Sequence, residues 1–312
     1  MMPAVSVIVL VYKVEKYIER CARALFGQTM EDIEYVFVDD CTPDASMEIL
    51  ERVLDGFQQR RSQVKVLHNE VNQGQAYSRR RGVEAASGDY IIHCDSDDWV
   101  EPDMYAKLYC KATAEGLDMV MCRMRLVYPD HVEPSADKLG TDDVLGALIR
   151  QDILDHLPDK LITRKAYEKG ITYPKCNMSE DSAMLIQLAC NCGSFGVVDE
   201  LLYNYCLRWG STSYSDNTVD KIEQMRQNYD LAFSCLEARG LAGRYRADIT
   251  NLKCWLKSAA QKTPRDYYMS LYPEVDMAFL SNRRFTLMQR LGHLTMLLGI
   301  HGISKPFSKK KK

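Results

Sequence analysis

Three aspartates stand close together in the stretch "HCDSDDW" at residues 93–99. They are Asp95, Asp97 and Asp98, and a short apolar run precedes them, as at the end of a buried strand. In an extended chain Asp95 and Asp97 point to the same side, about 6.6 Å apart at ~3.3 Å per residue. Two carboxylates at this spacing suit Mn²⁺ or Mg²⁺, which bind oxygen ligands and take diphosphate oxygens as well. The alternative interpretation is a solvated turn that precedes a helix at Asp103.

Carboxylates this close raise one another's pKa and cost folding free energy unless a positive charge lies among them. A bound divalent cation would supply that charge. It would also neutralise the charge that develops on a diphosphate leaving group, which is the role of a Lewis acid. The rest of the chain must therefore either bind such a cation here or bring in a positive side chain.

An alternation of strands and helices over the first 125 or so residues must position these aspartates. Runs of β-branched residues predict strands, and apolar residues at helical spacing predict helices between them. The predicted strands cover residues 5–12, 34–40, 64–69, 89–94 and 118–127. The predicted helices cover residues 14–25, 44–57, 74–88 and 103–115. This pattern predicts an α/β fold with a mostly parallel sheet that is flanked by helices.

The ends of the predicted strands indicate where a ligand would bind. In open α/β sheets, ligands bind beyond the carboxyl ends of the strands. Three of those ends carry distinctive polar residues: "YK" at 12–13, "DDCTPD" at 39–44 and "DSDDW" at 95–99. We expect them to converge on one crevice.

The second half of the chain gives weaker signals. Residues 130–158 are punctuated by Pro, Asp and Gly, and from residue 216 onward the pattern is helical and polar. We therefore predict two units, an α/β domain at 1–215 and a helical C-terminal region at 216–312.

The composition is that of an ordinary globular protein. Its 312 residues are 46% hydrophobic and 27% charged, and the net charge of −3 argues against a nucleic-acid partner. Eleven cysteines without a CxxC pair predict reduced thiols in a cytoplasmic protein. The N-terminus has no recognisable secretory signal, and no apolar run approaches the ~20 residues that cross a bilayer.

The last thirty residues are positively charged, whereas the rest of the chain is negatively charged. Residues 283–312 carry eight Lys or Arg and no acid, which leaves −11 on the other 282 residues. An apolar stretch with cations and no acids is typical of an interfacial anchor that is attracted to anionic lipid. Two interpretations stay open: peripheral membrane contact through the basic C-terminus, or a core-packed helix with a disordered basic end.

Five segments, taken in order, resemble the family 2 glycosyltransferases of GT-A fold, which transfer sugars from nucleotide-sugar donors with inversion. The segments are "VSVIVLVYKVEKYIERCARALFGQT", "EYVFVDDCTPDAS", "NEVNQGQAYSRRRGVEAASGDYIIHCDSDDWVEPD", "SEDSAML" and "LLYNYCLRWGSTS". Together they span roughly residues 4–215 and leave the last hundred residues unexplained.

The resemblance implies roles for the residues that match its motifs. Tyr12 would lie against the nucleobase, and Asp39 would accept a hydrogen bond from a uracil ring nitrogen. Arg79 would pair with the base or the diphosphate as a fixed cation. Asp95 would contact the ribose and share the metal ion, Mn²⁺ or Mg²⁺, with Asp97.

Further roles and departures follow from the same resemblance. Arg208 and Ser211 would close over the diphosphate, and Asp98 would support the metal or serve as an alternative ligand. Lys13 and Arg80 stand where the family usually has Asn, and such departures leave the base and the sugar unspecified.

The predicted general base is one of two adjacent acids, Glu180 and Asp181. An inverting transfer needs one carboxylate to take the proton of the acceptor hydroxyl as that oxygen attacks the anomeric carbon. The metal assists the leaving group, so no second acid is required, in contrast to inverting glycosidases. We predict Asp181 as the base and Glu180 as the second choice. The alternative is an ordinary helix start, where acids are common.

These observations predict a metal-dependent inverting glycosyltransferase with a UDP-linked hexosyl or N-acetylhexosaminyl donor. Its acceptor would be a glycan or a lipid-linked glycan in the biosynthesis of a surface polysaccharide such as a capsule. One alternative is a nucleotide-sugar pyrophosphorylase, which should carry a Gly-rich loop where this chain has "YKVEKY". The other is a non-catalytic sugar-nucleotide-binding protein, which should have a damaged metal or base position, and none is visible.

Overall fold

The chain is built around one mixed sheet, in a computed structural model that describes residues 3–207 and 217–300. The strands in chain order are β1 (Val5–Val11), β2 (Ile33–Asp39), β3 (Val64–His68), β4 (Tyr90–Asp95), β5 (Trp99–Val100), β6 (Met119–Val127), β7 (Val132–Pro134), β8 (Lys160–Thr163) and β9 (Phe195–Cys206). Across the sheet they lie in the order β3-β2-β1-β4-β8-β6-β9-β5, and β7 pairs with β6.

The first half of the sheet, from β3 to β4, is entirely parallel. Strands that are covered on both faces favour continuous β-branched runs, and in β1 every residue except Leu10 is buried. In the other half β8 runs antiparallel to β4 and β6, whereas β6 and β9 are parallel. The predicted α/β class with a mostly parallel sheet is confirmed. The short antiparallel β8 was not predicted, because four residues are too few for a periodic signal.

Helices cover both faces of the sheet and form the C-terminal region. In chain order they are α1 (Ile18–Phe26), α2 (Ser46–Asp55), α3 (Gln75–Ala85), α4 (Met104–Glu115), α5 (Val144–Ile149), α6 (Arg164–Glu168), α7 (Glu180–Asn191), α8 (Val219–Ala238), α9 (Arg246–Ala259), α10 (Arg265–Ser270), α11 (Asp276–Ser281) and α12 (Leu287–Leu298). One core lies between the sheet and α1, α2 and α4, and a second lies between the sheet and α3, α5, α6 and α7.

A third core belongs to the C-terminal helices, which confirms the predicted helical region. It is formed mainly by apolar side chains of α8 to α11, and Ile149 of α5 and Ile186 of α7 join it. The C-terminal helices therefore pack against the helices on one face of the sheet. The predicted boundary at residue 215 lies outside the described residues, so the division into two units stays a prediction. Within the described ranges, no helix is both long and apolar enough to cross a membrane.

Candidate active site

The carboxyl ends of β1, β2 and β4 meet at one edge of the sheet, beside a cavity of about 850 Å³. The strand register places Leu10 beside Asp95 and Val11 beside Asp39, so the three strands end at one level. The residues that border the cavity include Tyr12, Asp40, Arg79, Asp95, Asp97, Glu180 and Asp181. The structure thus brings the polar strand ends together, as expected of an open parallel sheet.

Arg79 is the positive charge among the acids. It lies on the buried face of α3, and its side chain is only 4% exposed. Its Nη2 lies 3.0 Å from Asp181 Oδ1, 3.4 Å from Glu180 Oε1 and 3.7 Å from Asp95 Oδ1. A guanidinium group suits this position because it is planar, stays charged and offers several donors. Arg79 therefore ties the end of β4 to the start of α7.

Glu180 and Asp181 open α7 directly after Ser179, whose φ of +61° is left-handed. The Glu180 side chain is 5% exposed, whereas that of Asp181 is 16% exposed. Burial raises the pKa of Glu180 to about 8, the Asp181 carboxylate adds to the rise, and Arg79 opposes it. Glu180 therefore holds a proton near neutral pH. Asp181 Oδ2 accepts a hydrogen bond from the Leu157 N–H at 3.4 Å.

The three aspartates after β4 have different surroundings. Asp95 and Asp97 border the cavity, and burial raises the pKa of Asp95 to about 6. Asp98 is fully buried, and its carboxylate accepts hydrogen bonds from the Tyr203 hydroxyl and the Cys206 N–H, both at 2.6 Å. Asp98 therefore holds the turn against β9. The expectation that it serves as an alternative metal ligand does not fit this position.

Two carboxylates remain that could bind a metal ion. Among residues 3–207 and 217–300, no group of three or more His, Cys, Asp or Glu side chains is arranged to hold one. Asp95 and Asp97 both border the cavity, so a Mn²⁺ or Mg²⁺ ion there would need further oxygen ligands from a diphosphate and from water. The residues present fit a metal that is shared with a ligand rather than one enclosed by protein.

The predicted nucleobase contacts lie after β1 and at the end of β2. Tyr12 borders the cavity and is 38% exposed, and the Lys13 ammonium lies 5.1 Å from its ring centroid. Asp39 accepts a hydrogen bond from the Thr42 N–H at 2.9 Å and pairs with His68 Nδ1, also at 2.9 Å. The structure thus places Tyr12 at the cavity and gives Asp39 two partners within the protein.

Asp40 has a role that sequence reasoning missed. Its carboxylate accepts hydrogen bonds from the N–H groups of Gln73 and Gly74, both at 2.8 Å, and from the Asn72 amide at 2.9 Å. Gly74 has a φ of +83°, and a Cβ there would lie 2.4 Å from a neighbouring side-chain amide, so the loop needs glycine at this point. Asp40 therefore fixes the loop that leads into α3 and Arg79.

The far wall of the cavity comes from residues that the sequence did not single out. Tyr229 of α8 and Trp255 of α9 border it, with their rings edge to face at 6.4 Å between centroids. His156, on the chain before β8, also borders the cavity. The helical pattern after residue 216 gave no sign that these helices face the same space as the aspartates.

The late-loop contacts that the resemblance implied lie outside the described residues. Arg208, Ser211 and Ser213 fall in the stretch 208–216. Their roles stay predictions, as do the contacts expected of Tyr12 and Asp39 with a nucleobase.

Known proteins with related sequences and folds are glycosyltransferases. EpsJ of Bacillus subtilis, an uncharacterized glycosyltransferase, is 29% identical over 265 residues, which are 81% of this chain and 76% of EpsJ. Other curated glycosyltransferases match over shorter segments, and the match then spans only 36% to 41% of their length.

Two solved structures share the fold over nearly the whole chain. TarS 1–349 from S. aureus, in complex with UDP-GlcNAc, has a TM-score of 0.65 at 20% identity and covers 95% of this chain and 92% of its own. The mannosyltransferase PcManGT from Pyrobaculum calidifontis, in complex with GDP-Man and Mn²⁺, has a TM-score of 0.60 at 14% identity, with coverages of 96% and 87%. At these identities the likeness establishes the fold alone.

The match to a family model covers more of this chain than the shorter alignments with single relatives do. The model of the family "Glycosyl transferase family 2" matches residues 6–172, which contain β1 to β4 and the aspartates after β4. Because this match covers more than half of the chain, the protein belongs to glycosyltransferase family 2.

Proposed function

We propose that this protein transfers a hexosyl or N-acetylhexosaminyl group from a UDP-linked donor, with inversion, in the biosynthesis of a surface polysaccharide. The observation that carries the proposal is the single cavity that both Asp97 and Asp181 border. We assign Asp97 to a metal and a diphosphate, and Asp181 to an acceptor hydroxyl. The UDP-GlcNAc bound by TarS supports the choice of UDP.

Asp181 is the proposed general base. Its side chain is three times as exposed as that of Glu180, and it borders the cavity. Glu180 is the weaker candidate because its pKa of about 8 keeps it protonated near neutral pH, and a protonated acid cannot accept the hydroxyl proton. The Arg79 Nη2 lies 3.0 Å from Asp181 Oδ1 and holds that side chain at the start of α7. The pair thus divides into one buried acid and one available base.

Asp97 and Asp95 are the proposed ligands of Mn²⁺ or Mg²⁺. When bound, the metal would neutralise charge on the leaving diphosphate. Asp95 is held in place by Arg79 and by its backbone N–H, which donates a hydrogen bond to the Tyr203 hydroxyl at 3.2 Å. These contacts orient the Asp95 carboxylate at the edge of the cavity, which Asp97 also borders. The Mn²⁺ bound by PcManGT supports a metal in this fold.

The remaining donor contacts are proposed from the family resemblance. Tyr12 is exposed at the cavity and would stack on the base. Asp39 would accept a hydrogen bond from the base in addition to those from Thr42 and His68, since a carboxylate accepts several. Arg208 and Ser211 are proposed to contact the diphosphate.

The acceptor is proposed to be a glycan or a lipid-linked glycan that enters along α8 and α9. Trp255 is 36% exposed although it borders the cavity, and an exposed aromatic face suits the apolar face of a sugar ring. Tyr229 packs against Trp255, and its hydroxyl lies beside Ser179 and Ser182 at the start of α7, where Asp181 also lies. We propose that the enzyme acts in the cytoplasm at the inner face of the membrane, where such an acceptor would be presented.

The proposal is tested by separating transfer from donor binding in two variants. We expect Asp181→Asn to lower the transfer rate by about 10²–10⁴-fold while donor affinity stays nearly unchanged, since the variant loses only the base. We expect Asp97→Ala to weaken Mn²⁺-dependent donor binding. The matched control is Asp199→Asn, which changes a carboxylate that is 73% exposed and pairs with Arg123.

The measurements are sugar transfer from a panel of UDP sugars and donor affinity by calorimetry with and without Mn²⁺. Near-full transfer by Asp181→Asn would refute the assignment of the base. Donor binding by the native protein without any transfer or hydrolysis would favour the non-catalytic alternative.

A further inference from the structure

Helix α12 exposes a stripe of leucines to solvent. Leu287, Leu291, Leu294 and Leu298 follow one another at spacings of four, three and four residues, so they lie within about 60° of one another around the helix. They are 64%, 44%, 36% and 62% exposed. We call these four side chains the leucine stripe. Half of the large apolar side chains that are exposed in the described ranges lie between residues 277 and 300.

The opposite face of α12 is the one that packs against the protein. His293 is fully buried, where its ring accepts or donates a hydrogen bond with the Tyr268 hydroxyl at 2.5 Å. The Gln289 side chain donates to Ser258 Oγ at 3.1 Å, and the backbone carbonyl of Gln289 accepts from the Gln261 side-chain amide at 2.6 Å. These hydrogen bonds, together with Met296 packed against the third core and the His293 ring against Phe279, hold α12 with the leucine stripe facing outward.

Positive charge surrounds the stripe. Arg283 and Arg284 are exposed just before α12, and Arg290 lies within it, partly exposed. The whole stretch 283–312 carries eight cations and no acid. An apolar stripe edged by cations is complementary to a bilayer surface with anionic headgroups. A symmetric dimer through the same stripe would instead bring the cations of both copies together at one interface, where they would repel one another.

We infer that α12 is a docking surface for an anionic lipid bilayer, with the leucine stripe entering the boundary between headgroups and acyl chains. Arg283 and Arg284 contact the headgroups at the start of the helix. The capping box between Thr286 and Gln289 fixes that start, so the helix is formed before it meets the membrane. The inference concerns a surface distinct from the cavity and does not depend on the transfer reaction.

Vesicle sedimentation with the full chain tests the inference. We expect binding to vesicles of phosphatidylcholine and phosphatidylglycerol at roughly 3:1, and little binding to phosphatidylcholine alone. The triple variant Leu287→Gln/Leu291→Gln/Leu298→Gln should lose at least ~100-fold in partitioning, because each leucine loses its apolar transfer free energy. Arg283→Gln/Arg284→Gln should lose about 30-fold, and the loss should shrink at high salt.

The matched control is Val66→Gln/Val132→Gln, which makes the same kind of change at exposed positions on β3 and β7. It should bind vesicles like the native protein. Circular dichroism and donor affinity should be the same for all variants, which shows that they are folded.

Three results would overturn the inference. The first is no binding of the native protein to anionic vesicles. The second is vesicle binding that the leucine replacements leave unchanged. The third is a concentration-dependent dimer, measured by light scattering, that the leucine replacements abolish while vesicles have no effect.

Discussion

Replacing Arg79 by glutamine would remove the only cation that the described residues place among three carboxylates. The guanidinium lies 3.0 to 3.7 Å from Asp181, Glu180 and Asp95, and its side chain is 4% exposed. Breaking a buried ion pair by removing one partner costs about 3–5 kcal/mol, because the remaining charge stays buried without compensation. We therefore expect the free energy of unfolding to fall by this amount at alkaline pH.

The loss should depend on pH, and its sign follows from proton binding. Burial, with Asp181 adding to it, holds the pKa of Glu180 at about 8 in the folded protein, above its ordinary value of 4.5. The folded state thus keeps a proton that the unfolded state releases, and the stability this proton contributes is lost as pH rises from 4.5 through about 8. Without Arg79, the pKa values of Glu180 and Asp95 rise further. The destabilisation should therefore be smallest near pH 5, where both acids can take up protons.

Urea unfolding at about pH 5 and about pH 8.5 measures this difference. Arg80→Gln is the matched control on the same helix, since that side chain is 54% exposed, pairs with exposed Glu84 and lies 5.6 Å from the centroid of the Tyr173 ring. It should cost less than about 1 kcal/mol at either pH. A second replacement, Glu180→Gln, should recover part of the stability that Arg79→Gln loses, because it removes one of the uncompensated acids.

Two outcomes would refute this reasoning. One is a destabilisation by Arg79→Gln that is the same at both pH values, which would mean that packing rather than charge is lost. The other is additivity of Arg79→Gln and Glu180→Gln, which would mean that the two side chains do not interact.

Two further predictions concern residues that the sequence did not single out. Trp255→Ala should raise the KM for a soluble saccharide acceptor by about tenfold and leave donor affinity unchanged, because Trp255 lies on the cavity wall formed by α8 and α9. An equal loss of donor affinity, measured by calorimetry, would contradict this prediction. Lys160→Met should cost about 3–5 kcal/mol in urea unfolding, because it leaves Asp159 buried without its cation at 2.6 Å. Lys138→Met provides the control, since Lys138 is 75% exposed and its partner Asp152 also pairs with Arg150. A similar cost for that variant would show that burial does not set the effect.

Much of the fold could be predicted because its signals are local. The four parallel strands from β1 to β4 are runs of β-branched and other apolar residues, and the helices between them show apolar spacing, so sequence periodicity finds both. Strands β8 and β9 were not predicted, for different reasons. β8 has four residues, and β9 (Phe195–Cys206) is exposed or half-buried over much of its length, so neither shows a continuous apolar run. Their place in the sheet depends on partners far along the chain.

The site could be predicted only in part, because burial decides the roles of similar residues. Asp39 and Asp40 are adjacent, yet Asp40 is buried and binds the loop at 72–74, whereas Asp39 pairs with Thr42 and His68. Nothing local in the sequence distinguishes them. The cavity wall formed by α8 and α9 could not be predicted from the sequence for a similar reason. A polar helical pattern shows that a helix exists but not which cavity it faces.

The acids after β4 lie close together, which costs folding free energy, and contacts within the protein offset part of that cost. Asp98 is satisfied by Tyr203 and Cys206, which are more than 100 residues away, and Asp95 lies 3.7 Å from Arg79. Each of these acids thus has its own compensation within the protein. We propose that a metal ion shared by Asp95 and Asp97 would bind and leave together with the diphosphate. The support is that the part of the chain that the structure describes has no group of three or more His, Cys, Asp or Glu side chains to hold such an ion without further oxygen ligands.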